Sequence, residues 1–301
     1  MAFRLKVDEP VPRALRRLAA KQLKDARDRL RGASRASDEA IHEARKSLKK
    51  ARAIVQVIDA DAGRHLGGSR RALRAVNRTL SGLRDADAML GIFERLRTRM
   101  PQLIGERTFA RVRRRLAAGK RAAREKVERR DDWKHMDRQL RALRKSAGRW
   151  RQAHRGFGAL ERGMRDAHRR GRKALARARK RQRAEDFHEW RKAMKALWYQ
   201  LRLLGGRSRR IGRDAAALHR AEMLLGDEHN VVVLCGVLTG DRLVCRTAED
   251  AHRVRLAGDR YQCEMRTRAL QAARSVYAPK SGAYVRLIER EWKGSGRLSR
   301  A

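Results

Sequence analysis

An all-α fold follows from three features of the sequence. Proline occurs only at Pro10, Pro12, Pro101 and Pro279, which leaves the stretch from Gln102 to Ala278 free of the strongest helix breaker. Ala, Leu, Arg, Lys, Glu and Gln, all good helix formers, fill the segments between breaks. Clusters of β-branched residues with the alternation that marks strands are nearly absent. Long amphipathic helices are therefore predicted near 11–31, behind Pro10 and Pro12, then near 38–59, 64–99, 107–146, 157–182, 186–204, 207–240 and 246–276, with a short last helix near 283–293. Gly67-Gly68, Pro101, Gly156-Phe157-Gly158, Gly205-Gly206 and the turn Pro279-Lys280-Ser281-Gly282 mark the breaks.

The chain of 301 residues carries 78 Lys and Arg against 34 Asp and Glu, a formal charge of +44. With 42% hydrophobic residues and a mean hydropathy of −0.77, it is too apolar for a disordered basic tail and should fold around a core. The longest apolar run, Val231 to Leu238, is far short of the roughly 18 residues that span a bilayer. No signal-peptide stretch follows Met1-Ala2-Phe3-Arg4-Leu5-Lys6, so a soluble, cytoplasmic protein without membrane partners is expected. Cys235, Cys245 and Cys263 form no CxxC pair; they read as buried structural thiols, and no metal site or cofactor is expected from them.

The sequence repeats itself. Ile41-His42-Glu43-Ala44-Arg45-Lys46-Ser47-Leu48-Lys49 aligns with Phe187-His188-Glu189-Trp190-Arg191-Lys192-Ala193-Met194-Lys195 at an offset of 146 residues. Leu80-Ser81-Gly82-Leu83-Arg84-Asp85 lies against Leu225-Gly226-Asp227-Glu228-His229-Asn230 at an offset of 145. The chain thus divides into a first helical half, 11–150, and a second, 157–296, within one domain over 1–301.

On a helical wheel of about 100° per residue, His42, Arg45, Lys46, Lys49 and Arg52 share roughly one third of the circumference. Ile41, Ala44, Leu48, Ala51, Val55 and Ile58 occupy a separate apolar face. The second copy repeats this division: His188, Arg191, Lys192, Lys195 and Arg202 form the cationic stripe, with Tyr199 among them. Phe187, Trp190, Met194, Leu197 and Leu201 form its buried face. A solvated helix face usually mixes signs to gain i, i+4 pairs, but Glu43 and Glu189 fall about 100° from the histidines and leave the stripes without carboxylates. Like charge at helical spacing costs stability, so a stripe kept in duplicate points to an anionic ligand. The histidines stand open between ligand contact and a structural hydrogen-bonding role; as ligand contacts they would make affinity rise as imidazole protonates. Arg70, Arg71, Arg74, Arg78 and Arg84, then Arg113-Arg114-Arg115 and Arg169-Arg170-Gly171-Arg172-Lys173, are further basic clusters, most of them surface charge.

These motifs resemble the CHAD family, the conserved histidine α-helical domain. Its His-x-x-Arg-x-x-x-Arg/Lys-x-x-Arg signature is matched by His42, Arg45, Lys49 and Arg52, and its second copy by His188, Arg191, Lys195, Leu197 and Tyr199. Phe3-Arg4-Leu5-Lys6 with Glu9-Pro10, Arg84-Asp85-x-Asp87, Arg169-Arg170-Gly171-Arg172 and Leu225-Gly226 are similar to family landmarks in order. Trp198 departs from an expected arginine, a loss that Arg202 partly offsets; His168 departs from a tyrosine and Asn230 from an aspartate. The resemblance implies two four-helix bundles related by an approximate twofold, with both stripes facing a shared basic cavity that binds inorganic polyphosphate. Arg74, Arg78, Arg84, Arg169 and Arg172 join the two stripes as its candidate contacts. Arg forks and Lys ammonium groups suit a flexible row of oxyanions, and a site on polyphosphate granules would follow.

Nucleic-acid binding is the alternative that +44 alone favours. The 14 aromatic residues are few for base stacking, however, and Phe187, Trp190 and Trp198 fall on or beside apolar faces. No catalytic constellation is present: Glu289-Arg290-Glu291-Trp292-Lys293 matches the Glu-x-Glu-x-Lys of triphosphate-tunnel enzymes by letters only, because it reads as helix and few residues follow it. Asp85 and Asp87 read as structural rather than metal-binding. A non-catalytic binding protein is expected.

Overall fold

The computed structural model describes residues 3–6, 9–31, 37–63, 65–129, 132–205, 208–240 and 247–297, without the side chains of 81–87, 123–124, 126–129, 132, 239–240 and 295–297. Eleven helices make up the described residues: α1 (Val11–Arg31), α2 (Asp38–Asp61), α3 (Gly67–Arg99), α4 (Glu106–Arg129), α5 (Asp132–Ala147), α6 (Gly158–Arg181), α7 (Ala184–Leu204), α8 (Arg209–Gly240), α9 (Ala248–Ala272), α10 (Arg274–Tyr277) and α11 (Ser281–Arg297). Local chemistry sets several ends. Ser37 caps α2 by accepting from the Ala40 amide at 3.1 Å, and Asp38 and Glu39 place negative charge at its positive terminus. Thr247 caps α9 in the same way, at 3.0 Å from the Asp250 amide. Gly205 ends α7 at φ 73°, a conformation that favours glycine.

Two expected helices are corrected. The segment 107–146 is divided between α4 and α5, with 130 and 131 outside the described residues. The two bury different surfaces: Val112 and Leu116 of α4 join a cluster with Ile92, Phe93 and Leu96 of α3, whereas Trp133, Met136, Leu140 and Leu143 of α5 join the main core beside α1. The helix expected over 246–276 ends at Ala272, and the one-turn α10 follows it; residue 246 lies outside the described residues.

Neighbours recur in the same order in both halves. α1 packs on α2 and α5, α2 on α3, and α3 on α4; α6 packs on α7 and α11, α7 on α8, and α8 on α9. The buried clusters nonetheless cross the halves. The main core draws on α1, α2, α5, α6, α7, α11 and the N-terminal parts of α3 and α8, and a second cluster joins the C-terminal parts of α3 and α8 to α4 and α9. α2 also touches α6 and α7 directly. Every apolar residue assigned to the inner faces of α2 and α7 is buried. That burial fixes the rotation of both helices, so their cationic faces turn the other way.

Side-chain links hold the frame. Asp61, at the end of α2, accepts from the Ala153 and His154 amides at 2.8 and 3.2 Å and pairs with the His154 ring at 2.6 Å, which clamps the α5–α6 connection. The Leu5 amide donates to the Leu203 carbonyl at 2.8 Å, laying Phe3 edge-on against Tyr199. His168 sits fully buried, bonded to Ser281 Oγ and the Val276 carbonyl, both at 2.9 Å, and stacked on Tyr284. It is a core residue. The cysteine expectation is corrected: Cys263 is exposed, Cys235 is half-buried with burial pushing its thiol up to about 11, and Cys245 lies outside the described residues. Glu289-to-Lys293 is helical in α11, where Lys293 pairs with Glu289 at 2.7 Å.

Candidate polyanion site

The cationic faces of α2 and α7 open into one cavity of about 970 Å³. α2 contributes His42, Arg45, Lys46, Lys49 and Arg52; α7 contributes His188, Arg191, Lys192, Lys195, Trp198, Tyr199 and Arg202. α3 adds Asn77 and Ala88, and the remaining wall belongs to α8, from Ala215 to Asn230. Eight lysines and arginines line it against two carboxylates, Glu222 and Asp227, among the described residues.

The two copies of the motif meet their neighbours alike. Arg45 Nη1 donates to the Asn77 carbonyl at 3.2 Å, and Arg191 Nε donates to the Glu222 carbonyl at 3.3 Å. The arginines are 146 residues apart and their acceptors 145, the offsets of the sequence repeat. The second acceptor also brings a carboxylate. Glu222 Oε1 lies 3.0 Å from Arg191 Nη2 and 2.5 Å from Lys195 Nζ. Gly226, on the next turn, leaves room for the guanidinium: a Cβ there would stand 2.8 Å from Arg191 Nη2.

Crowded cations under partial burial perturb one another. Burial, then the charges of Lys195 and Arg45, lower Lys49 to about 7. Burial and Arg191 lower Lys195 to about 8, against the pull of Glu222. Burial alone would raise Glu222, but Lys195 and Arg191 overcome it and hold the carboxyl at about 2. Burial and then Arg74 lower Arg52, and burial raises Tyr199. His188, with its ring 4.2 Å from that of His229, is lowered to about 4 by burial and His229. It is therefore neutral near pH 7 in the ligand-free protein. The lysines, not this imidazole, titrate near neutrality.

Of the predicted site residues, the structure brings eleven together in this cavity: five from α2, His42, Arg45, Lys46, Lys49 and Arg52, and from α7 His188, Arg191, Lys192, Lys195, Tyr199 and Arg202. Arg74 and Arg78, exposed on α3, are not among its lining residues, although Arg74 is near enough to act on Arg52. The side chains of Arg84, Asp85 and Asp87 lie outside the described residues. Arg169 and Arg172 of α6 do not line the cavity either; Arg169 is exposed and paired with Asp166 at 2.6 Å. The reading of stripes clear of carboxylates is also corrected. Lys46 reaches Glu43 at 3.1 Å and Lys192 reaches Glu189, because a long side chain spans the i, i+3 gap on the helix surface. Sequence reasoning missed the α8 wall. His219, Glu222, Met223, Gly226 and Asn230 recur at helical spacing, a signal that a wheel of α8 would have displayed.

The CHAD domain sequence profile matches residues 8–239. The chain belongs to the CHAD family. The crystal structure of the CHAD domain from the plant Ricinus communis is similar in fold, with a TM-score of 0.67, 19% identity, and coverage of 91% of this chain and 94% of that one. PptA from Streptomyces chartreusis is similar with a TM-score of 0.59, 15% identity, and coverage of 89% and 99%. No curated protein sequence matches this chain. No described helix of this CHAD protein is long and apolar enough to cross a membrane, and no described group of three or more His, Cys, Asp or Glu residues could hold a metal ion.

Proposed function

We propose that this CHAD protein binds inorganic polyphosphate, without chemical turnover, in the cavity between α2 and α7. The observation that carries the reading is the convergence of two cationic helix faces on one space lined by only two carboxylates among the described residues. A phosphate chain running along the cavity would meet Arg45, Lys49 and Arg52 on one side and Arg191, Lys195 and Arg202 on the other. Each would supply a charge-assisted hydrogen bond to an oxyanion. His42, Lys46, His188, Lys192 and Tyr199 complete the contact set. Arg74, Arg78, Arg169 and Arg172 would extend it outside the cavity for longer chains, and Arg84 would join the contacts.

The repeated packing order and the matched Arg45 and Arg191 contacts support a finer arrangement, two four-helix bundles over 11–150 and 157–296 related by an approximate twofold within one domain. The charge of +44 supports rapid capture of polyanions and a steep dependence on salt through counterion release, by analogy with DNA. A cytoplasmic location on polyphosphate granules is part of the same proposal. Nucleic acid is the weaker partner in it.

Competition tests the reading. Long-chain polyphosphate should bind at moderate salt and resist displacement by duplex DNA or RNA at equal phosphate concentration; displacement would favour a nucleic-acid protein. Incubation with Mg²⁺ or Mn²⁺ should leave the chain length unchanged on a gel, and shortening would make the protein an enzyme.

A further inference from the structure

One end of the cavity is built for something other than phosphate. Trp198 and His219 stack face to face, with ring centroids 4.4 Å apart and planes 2° from parallel. The Arg202 guanidinium stands 5.1 Å from the Trp198 ring. Met223, 55% exposed, one turn after His219 on α8, and Ala215 and Ala216, one turn before it, line the same cavity. A bare phosphate chain gains nothing from an indole, a thioether and two methyl groups.

The internal repeat sharpens the point. At offsets of 146 and 145, the counterparts of Trp198, His219 and Met223 are Arg52, Arg74 and Arg78, and those of Ala215 and Ala216 are Arg70 and Arg71. The alignment is anchored by the buried pairs Leu73 with Leu218 and Leu80 with Leu225. Five arginine positions of the first half are thus occupied by aromatic or apolar residues in the second. An oxyanion would be served better by the arginines. A ligand with phosphates at one end and a flat ring system at the other would be served better by what is present, because every base offers a face for stacking on aromatic and guanidinium groups.

We propose that this shelf is a base-stacking subsite, and that the cavity takes nucleoside polyphosphates, with the ring system on the outer face of His219, which Trp198 backs, and the phosphates along the cations of α2 and α7. The proposal rests on the reading of the cavity as a phosphate-chain site and narrows its ligand. A cavity of this volume is within the range of small-molecule sites.

Titration calorimetry with ATP and with inorganic triphosphate, both without metal, separates the alternatives. Triphosphate carries the larger negative charge, so charge alone would favour it. The expected result is ATP bound about tenfold more tightly than triphosphate, the size of one stacking contact. Trp198→Ala should abolish that preference and leave triphosphate affinity within about twofold. Trp198→Arg, which installs the residue of the first half, should reverse it. Met223→Arg is a second variant at an exposed position and should move the preference in the same direction. Triphosphate and long-chain polyphosphate bound as tightly as ATP, or equal losses of both ligands in Trp198→Ala, would overturn the subsite and leave the polyphosphate reading intact. ATP bound through Trp198 with no binding of polyphosphate would keep the subsite and remove that reading, and binding of none would remove both.

Discussion

Arg45 on α2 and Arg191 on α7 each donate to a main-chain carbonyl one helix away, but the first carbonyl belongs to Asn77 and the second to Glu222. The consequences spread along both stripes. On α7, Arg191 and Lys195 share a buried carboxylate, and Trp198 occupies the place that Arg52 holds on α2. On α2, Lys49 is lowered to about 7 by burial and by the cations around it, with Glu222 acting on it only from across the cavity. Glu222 thus partly neutralises the α7 stripe from within, and the cations of the two stripes repel one another across the cavity. Repulsion of that kind is relieved when an anion arrives.

Losing both stripe arginines should have the largest effect. Arg45→Gln with Arg191→Gln removes one charge-assisted bond from each side, each worth about 2 kcal/mol, so polyphosphate affinity should fall about a thousandfold. Arg113→Gln with Arg114→Gln, on the outer face of α4, should stay within about threefold at the same salt. Comparable losses from both pairs, measured by calorimetry, would mean that charge acts diffusely.

Glu222→Gln makes the second half resemble the first. It frees Arg191 and Lys195, so affinity should rise about tenfold, while the ligand-free protein should lose about 3 kcal/mol through uncompensated buried cations. Polyphosphate should restore the lost thermal stability. Unchanged affinity together with lowered stability would confine Glu222 to a structural role.

The lysines set the pH dependence. Lys49 faces Lys195, Arg45, Arg191 and Glu222, and a bound phosphate would raise it from about 7. Below pH 7 the ammonium is charged in both states and affinity is full. As pH rises past 7 the free protein loses that proton first, and affinity should fall by up to about tenfold per pH unit, with Lys195 adding its share above about 8. Stability of the ligand-free protein runs the opposite way. The folded value of Lys49 lies below its ordinary 10.5, so the unfolded chain holds more protons between about 7 and 10.5 and folding is favoured as pH rises through that window. Lys49→Met should flatten both curves; an affinity independent of pH from 6 to 9 in the unaltered protein would exclude a Lys49 contact.

Gly226→Ala should produce the smallest change. Its methyl group would push the Arg191 guanidinium off Glu222, so an affinity loss of about threefold with a stability loss of about 1 kcal/mol is expected. A large loss of stability would show that the guanidinium has nowhere to move.

The helix frame and both stripes were legible in the sequence because each depends on local periodicity: Ile41, Ala44 and Leu48 bury one face of α2 and turn His42, Arg45 and Lys49 to the other. The different partners of α4 and α5 were not legible, since which distant cluster each segment buries is decided by tertiary packing. Glu222 escaped for a related reason. On its own helix it is an ordinary acidic residue, and only the approach of α7 places it between Arg191 and Lys195. The arginines of α3 and α6 looked equivalent to those of α2 by type, but charge carries no information about which face a neighbouring helix covers.

The most direct measurement is a crystal structure of the protein with a polyphosphate chain of defined length. Phosphate density should run between α2 and α7, with Lys49 and Lys195 Nζ both within hydrogen-bonding distance of its oxygens. A chain lying on outer arginines such as Arg113, Arg114 and Arg169, with the cavity unfilled, would contradict the central claim.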